Sequence, residues 1–162
     1  MTRAMPKTSA GILPYRYRDG RVEVLLVHPG GPFWARKDDG AWSIAKGEHD
    51  AGEAPLAAAQ REFAEETGHR PRGPFVALAP LKQPGGKTIA AWITEDDWDT
   101  TTFVSSTFTL EWPRGSGRMS SFPEVDRVAW FDLETAARKL LRGQRPFLDA
   151  LARLVPPPAA SP

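Results

Sequence analysis

The sequence predicts an α/β protein built on a mixed β-sheet with helices packed on its faces. Three observations carry that expectation: strand-like segments on either side of an Asp19-Gly20 turn, a helix-forming run from Pro55 to Thr67, and two helical stretches after Asp132. Strands interleaved with helices in this way, rather than segregated from them, favour a mixed sheet.

From Ser9 to Arg18 and from Val22 to His28 apolar residues alternate or cluster around Asp19-Gly20, a dipeptide typical of tight hairpin turns, so two paired strands are expected. Pro29, Gly30, Gly31 and Pro32 punctuate the next segment and make His28 to Gly40 a loop, after which Trp42-Ser43-Ile44 reads as a short strand. Pro55 to Thr67 combines Leu, Ala, Gln, Arg, Phe and Glu, all compatible with a helix, and Gly68 stands where a helix end favours positive φ. No Ser, Thr, Asp or Asn precedes Pro55 to cap the first turn. Phe75 to Leu81 and Lys87 to Thr94 are further strands joined through Pro84-Gly85-Gly86, and Phe108 to Trp112 and Arg127 to Phe131 are shorter ones. Asp132 can cap a helix from Leu133 to Leu141, and Phe147, Leu148, Leu151 and Leu154 recur at helical spacing within Arg145 to Leu154. Residues 1–154 are therefore expected to form one domain, and the Pro-rich stretch 155–162 a disordered tail.

The chain of 162 residues is 41% hydrophobic with 10% aromatics, enough for a real core. Its 21 basic and 20 acidic residues leave a formal charge of +1, which gives no long-range attraction to DNA, RNA or anionic lipid, so no nucleic-acid partner is expected. Cysteine is absent, which removes disulfides, thiolate metal sites and thiol nucleophiles together and suits a cytoplasmic address. No apolar run reaches the roughly 20 residues needed to cross a bilayer, so no membrane role is expected.

The chemistry concentrates in two adjoining runs: Gly47-Glu48-His49-Asp50-Ala51-Gly52-Glu53, and Arg61-Glu62-Phe63-Ala64-Glu65-Glu66-Thr67-Gly68. On a helix Glu62, Glu65 and Glu66 share one side within about 100° of arc. Their mutual repulsion costs a few tenths of a kcal/mol per pair unless a cation offsets it. Mg²⁺ takes oxygen ligands of this kind and commonly shares its coordination with substrate phosphates. Glu-rich helix faces are usually just solvated, but the fixed spacing from Gly47 through Glu53 and Arg61 to Gly68 is far more specific than three glutamates alone.

That spacing resembles the signature box of the Nudix hydrolases, Gly-x5-Glu-x7-Arg-Glu-U-x-Glu-Glu-x-Gly-U with U apolar, and every charged and glycine position matches. His69 stands where the family's last aliphatic residue usually sits, and Ala45 where many relatives have proline. The resemblance implies a three-layer α/β/α sandwich. It also implies Mg²⁺ or Mn²⁺ held by Glu62, Glu65 and Glu66 with the Gly47 carbonyl, and Glu53 paired with Arg61 to brace the loop against the helix. The reaction implied is hydrolysis of the diphosphate linkage of a nucleotide-type small molecule, with a carboxylate as base. Glu124, on a loop ahead of a strand, resembles the additional glutamate that relatives use as a metal ligand or base, as in dinucleoside tetraphosphate hydrolases. Members of that family are frequently homodimers, and nothing in this sequence marks an interface.

For the rest of the substrate, the loop Gly30 to Trp42 offers Phe33, Trp34 and Trp42 to stack a nucleobase and Arg36 to meet phosphate, although such aromatics serve equally as core. Lys46 beside Gly47 is the stronger phosphate contact, and Lys82 and Lys87 flank a turn that could reach the same cleft. His28 and His49 are lone and read as structural or solvated. Dinucleoside polyphosphates lead slightly as substrates; ADP-ribose or nucleotide sugars, damaged nucleoside triphosphates and, in another class, an inactive nucleotide-binding module remain open.

Overall fold

The computed structural model describes residues 8–157. Its strands are β1 (Thr8–Arg18), β2 (Arg21–Pro29) and β3 (Ala45–Glu48), followed by helix α1 (Pro55–Thr67). Then come β4 (Val76–Ala77), β5 (Leu81–Lys82), β6 (Thr88–Glu95), β7 (Thr107–Glu111), β8 (Met119–Pro123) and β9 (Val125–Asp132), and finally α2 (Leu133–Lys139) and α3 (Pro146–Leu154). Asp19 and Gly20 adopt φ of 53° and 75°, the left-handed pair that lets a two-residue turn follow the twist of β1 and β2.

β1 is the spine of a seven-stranded sheet ordered β4-β6-β1-β2-β9. One edge of β1 runs parallel to β6, and the other is divided between β3, opposite Ser9 to Ile12, and β2, opposite Tyr15 to Arg18. Successive residues of β1 and β2 point to opposite faces, and both faces are covered. Leu13, Val24 and Leu26 join Ala136 of α2 and Phe147 and Leu151 of α3 in one core; Ile12, Leu25 and Val27 join Ala58, Ala59 and Phe63 of α1 in the other. The expected mixed sheet between helical layers is the architecture found.

Several elements differ from expectation. The strand expected at Trp42 to Ile44 forms three residues later, as β3. The Trp42 backbone is taken up by the end of α2, donating to Lys139 O at 3.0 Å and accepting from Leu141 N at 2.8 Å. Phe75 to Leu81 yields only the short edge strands β4 and β5, because Pro80 supplies no N–H for a continuous ladder. β8 had not been expected; it pairs with β7 as a separate two-stranded ribbon about the loop that holds Gly115 and Gly117. Val155, counted with the tail in sequence, is 9% exposed and packs in the α3-side core, while Tyr17 Oη donates to Pro156 O at 2.6 Å. Residues 158–162 of the expected tail lie outside the described residues. Among the described residues no helix is long and apolar enough to cross a membrane.

Candidate active site

Two features bring α1 close to the sheet. Its inward residues Ala58 and Ala59 are small and fully buried, and Gly68 ends it at φ 79°, donating its N–H to Ala64 O at 2.8 Å. Glu62 follows Ala58 by four residues and Glu66 follows Ala59 by seven, so both fall on the sheet-facing side rather than in open water. There they meet β3. A Cβ at Gly47 would overlap the Glu62 carboxylate, so glycine is the residue this approach permits. The Lys46 backbone N–H donates to the Glu66 carboxylate, and Glu65 stands on the outer flank with its side chain 49% exposed.

Arg61 ties this face together. Its Nε and one terminal nitrogen donate to the two oxygens of Glu53, both at 2.9 Å, while the other reaches Glu62 at 3.0 Å and Glu65 at 3.2 and 3.3 Å. A planar fork is suited to such two-point pairing, and it fixes the entry loop to the second turn of α1.

Glu124 arrives from far along the chain through a relay of backbone bonds. The carbonyls of Glu65 and Thr67 at the end of α1 accept from Ser106 N at 2.8 Å and Val104 N at 3.0 Å. Ser106 O then accepts from Glu124 N at 2.8 Å, and Ser105 Oγ from Val125 N at 3.0 Å. On the other side Gly30 N donates to Glu124 O at 3.0 Å, at a place where a Cβ on Gly30 would run into the Pro123 carbonyl. The result is a cleft lined by Lys46, Gly47, Glu62, Glu65, Glu66 and Glu124.

Its electrostatics are unfavourable without a cation. Burial pushes the Glu66 carboxyl up to about 8, with Glu62 and Glu124 adding to the effect and Lys46 opposing it. Burial raises Glu62 as well, against the pull of Arg61. Lys46 is held below the usual amine range, chiefly by burial. The hydrogen bonds that Arg61 donates to Glu53 hold its guanidinium above the usual arginine range. Among the described residues no three acidic or imidazole groups converge on one point as they stand, since Glu62 and Glu65 are turned to Arg61. Apart from the Lys46 amine, the polar side chains facing the cleft nevertheless offer oxygens, and five of the lining residues are glutamates, Glu48 among them. That set fits a hard divalent cation and not a soft one.

A hollow of about 250 Å³ adjoins the cleft and shares Lys46, Glu66 and Glu124 with it; Val27, Trp34, Ala41 and Leu141 give it an apolar side. Of the aromatic residues expected to stack a nucleobase, Trp34 is the one that lines this hollow. Trp42 is not: it is 4% exposed, packs edge-on to His28 and Phe131, and donates its Nε1 to Asp38 at 2.8 Å, so its expected stacking role gives way to a core role. Phe33, 58% exposed, meets Trp112 edge-on at 5.3 Å, and neither it nor the exposed Arg36 is found among the described residues lining cleft or hollow. His28 is buried with its ring nitrogens 2.7 Å from Asp126 and from Lys37 O, a structural placement. Sequence reasoning missed Ser105, Ser106 and Leu141, and no local pattern marks them.

A model of the family described as NUDIX domain matches residues 5–151. Among solved structures, the NUDIX domain of Shewanella oneidensis NrtR complexed with ADP ribose is 17% identical, with a TM-score of 0.62 over 93% of this chain and 88% of that one. A C. elegans Ap4A hydrolase in a binary complex is 20% identical, with a TM-score of 0.62 over 91% and 96%. The E. coli ORF135 protein is 24% identical, with a TM-score of 0.52 over 92% and 91%. At these identities the likeness is one of fold.

Proposed function

The chain belongs to the NUDIX domain family, and from that premise we propose that it is a divalent-cation-dependent hydrolase of the diphosphate linkage in nucleoside diphosphate derivatives. The observation that carries this reading is the cleft lined by Glu62, Glu65, Glu66 and Glu124 beside Lys46 and an adjoining hollow. Glu62, Glu65 and Glu66 with the Gly47 carbonyl hold Mg²⁺ or Mn²⁺, and Glu124 completes the donor set or serves as base. Bound there, the cation supplies charge neutralisation of the diphosphate oxygens and activation of water.

The protein's own groups do the rest. Lys46, beside the carboxylates, meets a phosphate oxygen, Trp34 and the apolar walls take the nucleobase, and Arg61 with Glu53 keeps the loop and helix in register. Glu124, fixed by backbone bonds on both sides rather than by its side chain, is free to accept a proton. Dinucleoside polyphosphates lead among substrates, with the Ap4A hydrolase fold neighbour in support.

Incubating the protein with Mg²⁺ and a panel of dinucleoside polyphosphates, ADP-ribose, nucleotide sugars and nucleoside triphosphates tests the reading. Turnover of at least one is expected, abolished by chelator; nucleotide binding without any turnover would instead mark a ligand-binding module. Glu124→Gln is expected to lower kcat far more than KM, and near-normal kcat at saturating cation would remove Glu124 from the reaction.

A further inference from the structure

His28 stands at the end of β2, opposite Arg127 of β9, and the register slips at the next residue, where Pro29 opposes Val125. Asp126 is the extra residue of that bulge, and its carboxylate turns toward His28. Val27, Pro29 and Val125 line the hollow beside the acidic cleft, so His28, between two of them, points to the other face, where its side chain is fully buried. There its ring meets Trp42 edge-on at 5.2 Å, and both ring nitrogens face oxygen. Nδ1 lies 2.7 Å from Asp126 Oδ1, and Nε2 lies 2.7 Å from Lys37 O.

A backbone carbonyl only accepts, and so does a carboxylate. A neutral imidazole has one N–H, so it satisfies one of these oxygens and turns a bare lone pair on the other; the imidazolium satisfies both. The charged groups around the ring come from three elements. Asp126 and Arg127 belong to β9, with Arg127 Nε 3.5 Å from the same Asp126 oxygen; Lys37 and Asp38 belong to the loop, and Lys139 of α2 is held on Asp38 at 2.6 Å. The carboxylate is the stronger acceptor of the two that His28 meets. When the ring gives up a proton, Nδ1–H stays with Asp126, and the contact with Lys37 is the one lost.

That contact governs Trp34. Lys37 N donates to Trp34 O at 3.0 Å, and the Lys37 amine stands 5.0 Å over the Trp34 ring. Among the described residues the hydrogen bonds of Gly31 to Lys37 run within that segment, except the one from His28. Beyond Lys37 the loop is fastened to α2 whatever the state of the ring, through Lys139 on Asp38 and Asp39 and through Gly40 N, which donates to Arg138 O at 3.0 Å. We propose that His28 is a positioning residue: its doubly protonated ring, bridging Asp126 and Lys37 O, holds Trp34 at the hollow, and loss of one ring proton releases that stretch and weakens nucleotide binding without altering the chemical step. The proposal rests on the reading of the hollow as the seat of the nucleobase.

The test measures kcat and KM for diadenosine tetraphosphate, with Mg²⁺, from about pH 6 to about pH 9 in the unaltered protein, His28→Gln and Asp126→Asn. The groups of the acidic cleft and the substrate titrate alike in all three, so the difference between the profiles isolates His28. In the unaltered protein KM is expected to rise about tenfold across the range beyond any rise the variants show. His28→Gln should keep the higher KM throughout. Asp126→Asn should keep the lower one, because a side-chain amide can donate to Nδ1 and leave the neutral ring its Nε2–H for Lys37 O. Equal KM profiles in all three proteins overturn the proposal. The unaltered protein also decides it without activity, by ¹⁵N NMR of the histidine rings and of the loop amides. Two ring protons on His28 at the acid end, with the Trp34 to Lys37 amides moving as Nε2 loses its proton, uphold it; a ring in one charge state throughout, or amides that do not follow it, overturn it. If no cleavage is seen, the hydrolase reading fails and the NMR result still judges His28.

Discussion

α1 and α3 cover opposite faces of the same sheet, yet they are held there by different means. α3 seats Phe147, Leu148 and Leu151 in the core, carries Asp149 in its first turn and Arg153 in its last, and so has packing and helix dipole in agreement. α1 has no side-chain cap, no acidic residue in its first turn and no basic one in its last. Its buried residues are chiefly small, and Glu62, Glu65 and Glu66 crowd toward the end where the dipole is already negative. A helix built for stability would not be charged that way. The contrast shows that one layer secures the fold, and that the other accepts an electrostatic cost that a bound cation would relieve.

Four measurements break or sharpen this contrast. Phe147→Ala, on the stabilising side, should cost about 3–5 kcal/mol in denaturant unfolding while the surviving folded fraction keeps its kcat. Loss of activity out of proportion to unfolding would mean that the α3 layer also shapes the site. Glu66→Gln, on the other side, should lower kcat by about 10²–10³-fold without lowering the melting temperature of the chelator-treated protein. A destabilised Glu66→Gln would show that this carboxylate supports the fold after all.

Glu53→Gln keeps the size of the side chain but weakens the two-point pair with Arg61, and about 10–100-fold weaker cation binding is expected by calorimetry. Unaltered affinity would reduce the pair to a surface contact. The smallest effect concerns pH. In chelator, folded Glu66 keeps its proton up to about 8, whereas the unfolded chain releases it near the ordinary 4.5. The folded state thus binds the extra proton between those values. The stabilisation is complete below the lower value and is lost as pH climbs through the upper one. The metal-free protein should melt several degrees lower at pH 9 than at pH 5, and Glu66→Gln should narrow the gap; equal melting temperatures at both pH values would contradict the burial of this group.

Much of the stabilised framework and most of the charged helix were legible in sequence because their signals are local. The Asp19-Gly20 turn, the span of α1, the Asp132 cap and the apolar repeat of α3 depend on residues within a turn or two of one another. The pairing of Arg61 with Glu53 was legible because both sit in one fixed-spacing motif. The side chains around the hollow beside the acidic cleft were not. Trp42, read as a candidate for stacking, turns into the core because its backbone bonds to the end of α2, about a hundred residues later. β8 hid behind a run whose alternation is interrupted by serines.

By itself, then, the chain's order of residues determined which carboxylates share a helical stripe, where glycine must stand and where the helix stops, since spacing along a helix and the sign of φ are properties of neighbours. The tertiary structure decided that Glu62 and Glu66 of this stripe face the sheet instead of water, that Glu124 joins them through the Ser105-Ser106 segment, and that Lys46 lines both the acidic cleft and the hollow beside it. Those outcomes depend on strand register and on contacts between segments remote in sequence, and no local spacing encodes them.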